Sequence, residues 1–387
     1  MNLSMLRPLY ARPGPWASVY LDASYDTEDA AKARELRWQG LRQELAEAGA
    51  DERTLAALDA EVATQRGVGR YGLALFASDG EVALVESLPD PPARQEAVWS
   101  RLPAVRPLLA TVGEQVRWVR VLADRTGADL VAEAGGRPMR AEVEGSEEFP
   151  IRKVAPGGWS NPRYQRAAQV SWERNAVEIA EAVRVMADRT GADVVVVAGD
   201  VRERQLLMDH LPAAVRPLVV ETEAGSRAAG AATEPLDEAV DRAVASRIDE
   251  RRAEVRDRFL RGFAHGLATA GRDRVLGALR RSQVDTLLMA APGGADGTPV
   301  PGTDGVDGTV WMDPGDTSKV AANHAELESL GVDRSEPVPA AEALIAAAAA
   351  TDADLVVFDP QELDMDDGVG AVLRYSLPAS ATEGAPG

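Results

Sequence analysis

The sequence predicts an α/β fold built from three consecutive α/β units. Short runs rich in Val, Leu and Ala, bounded by Gly, Asp and Pro, recur along the chain as strand signals. Between them lie longer stretches with apolar residues at three- and four-residue spacing, the period of an amphipathic helix. The alternation restarts twice, which sets an N-terminal domain over 1–113, a middle domain over 114–265 and a C-terminal domain over 266–387.

In the first unit, residues 16–22 read as a strand after the turn-forming Arg12-Pro13-Gly14-Pro15. Leu36, Leu41 and Leu45 then set one helix and Leu55, Leu58 and Val62 another, separated by Gly49-Ala50-Asp51. Two apolar runs, 72–77 and 82–85, flank Ser78-Asp79-Gly80, a hairpin signal because Asp-Gly tolerates the positive φ angles of a tight turn. A helix over 97–109 closes the unit.

The middle unit opens with a strand at 116–123, a turn at Asp124-Arg125-Thr126-Gly127 and a second strand through Leu130 and Val131. A helix over 162–188, ended by Gly191, leads to Val194–Val197, which suits a buried central strand. Here the chain repeats itself: the string 119–129 recurs at 183–193 with one change, Leu122 to Met186. The flanks differ, so the first copy is expected as strand and turn and the second as helix end and turn. Helical spacing over 236–263 bridges to the last unit, which has strands at 286–290, 309–312 and 355–358 and a helix over 340–350. The Gly- and Asp-rich stretch 293–308 reads as a mobile surface loop, without the alternating acidic ligands of a calcium site. The small, polar residues after Leu377 read as a frayed tail.

Composition excludes much chemistry. The 387 residues include no Cys and only three His, His210, His265 and His324, far apart in sequence. Disulfides, thiolate zinc sites and Cys nucleophiles are thereby excluded, and a histidine-based site is disfavoured; no metal or cofactor is expected. No run of about 18 apolar residues occurs, so neither a membrane span nor a signal peptide is expected and the address is cytoplasmic. A formal net charge of −20 opposes a protein that coats DNA or RNA non-specifically, since that binding depends on neutralising phosphates. Any RNA contact must be local.

One segment meets that condition. Gly157-Gly158-Trp159-Ser160 is followed by Asn161, Pro162, Arg163, Tyr164, Gln165 and Arg166, and Arg152, Lys153 and Arg174 add positive charge around it against Glu173. The paired glycines let backbone approach a ligand closely, and the arginines suit phosphate contacts. A solvated helix face would also account for any one of these arginines.

These residues, with the order of three α/β units, resemble the archaeal and eukaryotic release factor 1 and Pelota family. The likeness is to its divergent bacterial members, the Balon-like ribosome hibernation factors among them. The release factors carry Gly-Gly-Gln-Ser, two variable positions, then Arg, an aromatic residue, a variable position and Arg before a helix. Six positions match here: Gly157, Gly158, Ser160, Arg163, Tyr164 and Arg166. Residues 282–288 and 367–375 resemble the family's C-terminal domain more diffusely. A second Ala-Pro-Gly-Gly, at 291–294, lacks the Arg/Tyr continuation.

The resemblance implies a loop that reaches the peptidyl-transferase centre, where the family's glutamine helps place a water. Trp159 stands in that position. A carboxamide both donates and accepts hydrogen bonds, whereas an indole has one donor and no acceptor, so the side-chain role is lost. Its bulk also opposes placing a water within attack distance. What an indole does well is stack on a base, worth about 1–3 kcal/mol. No catalytic residue is therefore expected.

The resemblance further implies the 70S ribosome, with its 23S and 16S rRNA, as partner, together with elongation factor Tu or another translational GTPase. No Asn-Ile-Lys-Ser codon-reading motif occurs and nothing at 48–51 substitutes for it; no Gly-rich loop with Lys-Ser/Thr makes the chain itself a GTPase. The expected function is a hibernation factor that occupies the A site from decoding centre to peptidyl-transferase centre without hydrolysing peptidyl-tRNA. Two other readings fit: a peptidyl-tRNA hydrolase or rescue factor using the loop backbone or Gln165, and a stress-responsive α/β protein without ribosome contact.

Overall fold

The computed structural model of the chain describes residues 1–26, 29–64, 69–112, 116–124, 126–134, 137–144, 161–227, 231–291, 306 and 308–376. It is a mixed α/β structure with four sheets among the described residues, divided into two compact units: Met1–Glu114 with Arg252–Gly387, and Gln115–Arg251. Each of the three segments expected from sequence carries its own sheet, and the first and last share one unit.

The N-terminal segment begins with a short helix, Arg7–Tyr10 (α1). Trp16–Asp22 (β1), Gly72–Ser78 (β2), Glu81–Leu88 (β3) and Glu96–Ser100 (β4) then form an antiparallel sheet in the order β3-β2-β1-β4. The hairpin turn between β2 and β3 is the expected one, with Asp79 at φ 51° and Gly80 at φ 79°. Alternate residues of β1 and β2, Ala17, Val19, Leu21, Leu73, Leu75 and Ala77, pack on Ala30–Glu47 (α2) and Glu52–Thr64 (α3). Leu41, Leu45, Leu55, Leu58 and Val62 supply the helix side of this core as the spacing predicts, but Leu36 is 60% exposed. Trp38 takes its place, buried with its indole N–H donated to Asp59 at 2.8 Å.

The helix expected over 97–109 is a correction. Residues 96–100 are instead β4, paired antiparallel with β1, and only Arg106–Val112 (α4) is helical. Pro103 pushes Leu102 out of the helical region, whereas Pro107 sits in the first turn of α4, where no N–H is needed. The outer edge of β1 supplied the pairing that decided for strand.

In the middle unit Trp118–Asp124 (β5), Gly127–Ala134 (β6) and Arg137–Glu144 (β7) form an antiparallel meander. After Asn161–Thr190 (α5) the chain adds Val194–Gly199 (β8), then Val201–His210 (α6) and Val219–Thr222 (β9). The sheet order is β7-β6-β5-β8-β9, with β5, β8 and β9 parallel. Val195 and Val197 face Ile179, Val183 and Leu207, while Val194 and Val196 face Leu236, Val240 and Ala243 of Glu234–Gly262 (α7). An all-apolar strand is what such two-sided burial requires. The eleven-residue repeat divides as expected: its first copy is the β5–β6 hairpin, its second the end of α5.

The C-terminal segment pairs Ala268–Ala270 (β10), Val284–Ala290 (β11), Asp354–Phe358 (β15) and Val369–Leu373 (β16) in the order β10-β16-β11-β15. A second sheet has the order β13-β12-β14, from Thr309–Asp313 (β12), Asp316–Ala321 (β13) and Glu336–Pro339 (β14). Arg272–Arg280 (α8), His324–Ser329 (α9) and Ala340–Ala350 (α10) complete it. All of α10 but its last residue is buried, which its alanines allow because they let backbone approach backbone closely. Among the described residues no helix is long and apolar enough to cross a membrane.

The free face of the N-terminal sheet, Trp16, Tyr20, Ala74 and Phe76, joins one core with Leu276, Leu279, Leu287, Leu344 and Ile345 of the C-terminal segment. Inside this core lies Glu342, 8% exposed, whose Oε2 accepts the Val105 N–H at 3.2 Å. A carboxylate from α10 thus caps the start of α4. Burial pushes the Glu342 carboxyl up to about 7, although the Val105 N–H and the Arg106 charge pull it down. A carboxyl raised on folding gives stability that is present below its unfolded value and is lost as pH rises through its folded one. Glu342→Gln should therefore stabilise the protein by about 1–3 kcal/mol at pH 8 in urea unfolding, with the gain fading toward pH 5. An equal gain at both pH values would mean that Glu342 does not titrate in this window.

Candidate functional site

The segment singled out by sequence spans the step from an edge strand to a long helix. β7 ends at Glu144, opposite Gly127 of β6, and α5 begins at Asn161. Gly157, Gly158, Trp159, Ser160, Arg152 and Lys153 lie outside the described residues, as do the 377–387 tail and the 293–308 stretch apart from Val306 and Gly308. Arg163, Tyr164 and Arg166 fall in the first two turns of α5. That helix has 30 residues and no acidic residue in its first turn. Its N-terminus therefore combines the positive end of the helix dipole with two arginine positions, an arrangement that favours anions.

Arg174 lies eleven residues beyond Arg163, about 16 Å along the helix axis. Its side chain is 65% exposed, with Nε 3.7 Å from Glu178 Oε1, an i,i+4 surface pair. It supports the helix first and any ligand only at a distance from the N-terminus.

The C-terminal ends of parallel strands are the usual ligand position of open α/β sheets, and here they are filled by ion pairs. Arg204, 8% exposed at its side chain, donates to the carbonyls of Gly199 at 3.2 Å and Thr222 at 2.6 Å, with Glu221 at 3.3 Å. Arg227 contacts Asp124 at 2.9 Å, Asp129 at 3.0 Å and Glu142 at 3.5 Å. The adjacent cavity, between Asp124, Asn175 and Glu203, measures about 10 Å3, room for one water at most. Chemistry on a small molecule has no pocket there.

Arg227 acts on the strands that precede the segment. It binds the chain after β9 to all three strands of the meander, reaching Glu142 just before β7 ends. Burial alone would raise the Asp124 carboxyl, but hydrogen bonds from Thr126 and the Arg227 charge outweigh it and hold it below its usual value. Nothing local marks Arg227, because Asp129 and Asp124 lie 98 and 103 residues away and Glu142 is also on a distant strand. Of the histidines, His324 is exposed and touches Trp311 and Ser335, while His210 and His265 are exposed at helix ends.

A sequence signature described as bacterial archaeo-eukaryotic release factor family 2 matches residues 117–265. The uncharacterised protein Rv2629 of Mycobacterium tuberculosis is 31% identical over 380 residues, covering 97% of each chain. The chain belongs to the bacterial archaeo-eukaryotic release factor family. Among solved structures it is similar to Saccharomyces cerevisiae Dom34, at 10% identity and TM-score 0.41 over 80% of this chain and 81% of that one. It is also similar to a ribosome-bound archaeal Pelota, at 12% identity and TM-score 0.40 over 97% and 95%. The family match takes in β5–β9, α5, α6, the 145–160 connection and all of α7.

Arg227→Ala should lower the stability of the protein by about 1–2 kcal/mol in denaturant unfolding, since three partly exposed carboxylates lose their shared cation. Amide exchange should accelerate first in β6 and β7; uniform acceleration through β8 would show that Arg227 does not act on the meander in particular.

Proposed function

We propose that this protein is a ribosome-binding factor that enters the A site, spans decoding centre to peptidyl-transferase centre, and occupies that centre without hydrolysing peptidyl-tRNA. Its role is protection of inactive ribosomes. Membership of a release-factor family supports the ribosome as target, and one observation carries the rest: Gly157, Gly158, Ser160, Arg163, Tyr164 and Arg166 are kept while the glutamine position holds Trp159.

The physical roles follow. The glycines bring backbone close to rRNA, Arg163 and Arg166 meet phosphates at the positive end of α5, and Trp159 stacks on a base where the family glutamine would hold water. Helical steps of four and three residues lead from the exposed Arg174 back to positions 170, 166 and 163, so the arginine positions share one stripe of α5. Such a stripe is local enough to escape the objection raised by the net charge. The 70S particle, with 23S and 16S rRNA, is the proposed partner, and a translational GTPase such as elongation factor Tu is the proposed companion.

The protein should co-sediment with 70S particles at low salt and be released as salt rises, because the contact is made through arginines. Trp159→Ala should weaken that binding about 5- to 100-fold, one lost stack, with an unchanged circular dichroism spectrum. Equal affinity of the variant would remove the indole from the interface, and failure to sediment at all would remove the ribosome. Stalled ribosomes carrying labelled peptidyl-tRNA should show no peptide release on addition of the protein. Release that disappears with Gly158→Ala would instead identify a hydrolase acting through the loop backbone.

A further inference from the structure

The N-terminal and C-terminal segments meet where the start of α4 lies against α10. That start is tied to β1 three times. The Ala104 N–H donates to Ser18 Oγ at 2.9 Å, the Tyr20 hydroxyl donates to the Ala104 carbonyl at 2.7 Å, and the Leu108 N–H donates to the Tyr20 hydroxyl at 3.1 Å. Its tie to α10 runs through Glu342, whose Oε2 accepts the Val105 N–H at 3.2 Å with the Arg106 N–H and charge beside it.

The surroundings of Glu342 are poor in groups that welcome a negative charge. Glu96 of β4 opposes it, and Arg106 is the cation on its side. Tyr10 of α1 and Tyr20 of β1 face it as neutral phenols, since burial, with the Glu342 charge added, pushes both hydroxyls up. The charged groups on the other elements packed against α10 have partners of their own. Arg7 of α1 pairs with Asp352, Lys319 of β13 with Asp313 and Asp316, and Glu336 of β14 with Arg101. Arg272, Arg274 and Arg280 of α8 pair with Asp273, Asp366 and Glu326, and Asp354 at the start of β15 is exposed.

A second polar group in this core is unserved. Among the described residues the buried Tyr10 hydroxyl has no hydrogen-bond partner. An ionised carboxyl at 8% exposure demands more donors than two backbone N–H groups supply, whereas a neutral one makes no such demand. Water admitted between α4 and α10 would serve both the carboxylate and the phenol. Ser18 and Tyr20 keep α4 with β1 when this happens, so the parting lies between α4 and α10.

We propose that the joint between α4 and α10 is a pH-gated latch: with Glu342 neutral the first and last segments close on each other, and with Glu342 ionised the joint opens to water while α4 stays on β1. The Glu342 carboxyl is pushed up to about 7 in the closed form and returns to its ordinary value in water, so it loses a proton on opening. Closure is therefore strongest in acid and is lost as pH rises to neutrality. The latch is built from the first and last segments alone and does not depend on ribosome binding.

Hydrogen exchange of the full-length protein at pH 6 and pH 8, with rates corrected for the intrinsic effect of pH, tests this. Protection of peptides covering 104–112 and 340–350 should fall about tenfold from pH 6 to pH 8, with β8 of the middle unit unchanged. In Glu342→Gln the same peptides should be equally protected at both pH values. Glu96→Gln reads the carboxyl without touching it: loss of the like charge should raise protection at pH 8. Equal protection of the wild type at pH 6 and pH 8, a pH dependence that survives in Glu342→Gln, or an equal fall in β8 would overturn the latch.

Discussion

Burial of both faces of the central strands is the constraint on which the rest of this structure depends. β1 and β2 have no polar face, and their Ala, Val, Leu, Phe, Trp and Tyr residues need cover on two sides. α2 and α3 cover one side, and the C-terminal segment covers the other. Chain segments more than 150 residues apart thereby share one core, while β8 meets the same requirement inside the middle unit by using α5 and α7. That shared core is also where a carboxylate is drawn out of water: Glu342 on α10 faces the N-terminus of α4.

Charge follows a parallel logic. With 62 acidic residues against 42 Lys and Arg, a cation that folds near the surface finds a carboxylate. Arg117 and Arg251 share Asp193, Arg227 takes three partners, and Arg184 lies between Glu181 and Asp188 on α5. The Arg184 pairs are exposed and weak, whereas Asp193 and Arg227 are largely buried and hold their partners more firmly. The arginines worth asking about are those the chain leaves without an acid. Among the described residues Arg281 is one, its Nε donating to the neutral Gln283.

Much of the fold was legible because its signals are local. The 78–80 turn announces its hairpin through Asp79 and Gly80, and the Val194–Val197 run can only be a strand with two covers. Where sequence failed, the deciding contact was distant. Residues 96–100 became β4 because the β1 edge was open, and Trp38 outcompeted Leu36 because Asp59 on α3 could accept its N–H. Arg227 and Glu342 carry no mark of their roles, since each acts on partners about 100 or more residues away. The motif and the helix after it were legible, but the third strand of the meander, β7, and its clamp by Arg227 were not.

The chain itself warns how little a short string decides. The eleven residues at 119–129 and 183–193 differ once, yet one copy is a hairpin and the other a helix end, because the first is followed by a strand partner and the second is preceded by about six turns of helix. Ala-Pro-Gly-Gly poses the same problem. At 291–294 it follows β11 directly, and the next strand among the described residues is β12, whereas at 155–158 it precedes α5 with its two early arginines. At 155–158 the helix N-terminus that follows adds positive potential to that of the arginine positions. If Gly-Gly were kept merely as a flexible connector, neither the arginine spacing nor an aromatic residue between the arginines would be needed. In the function proposed above, a Trp in the glutamine position would change the task of the loop from positioning water to excluding it.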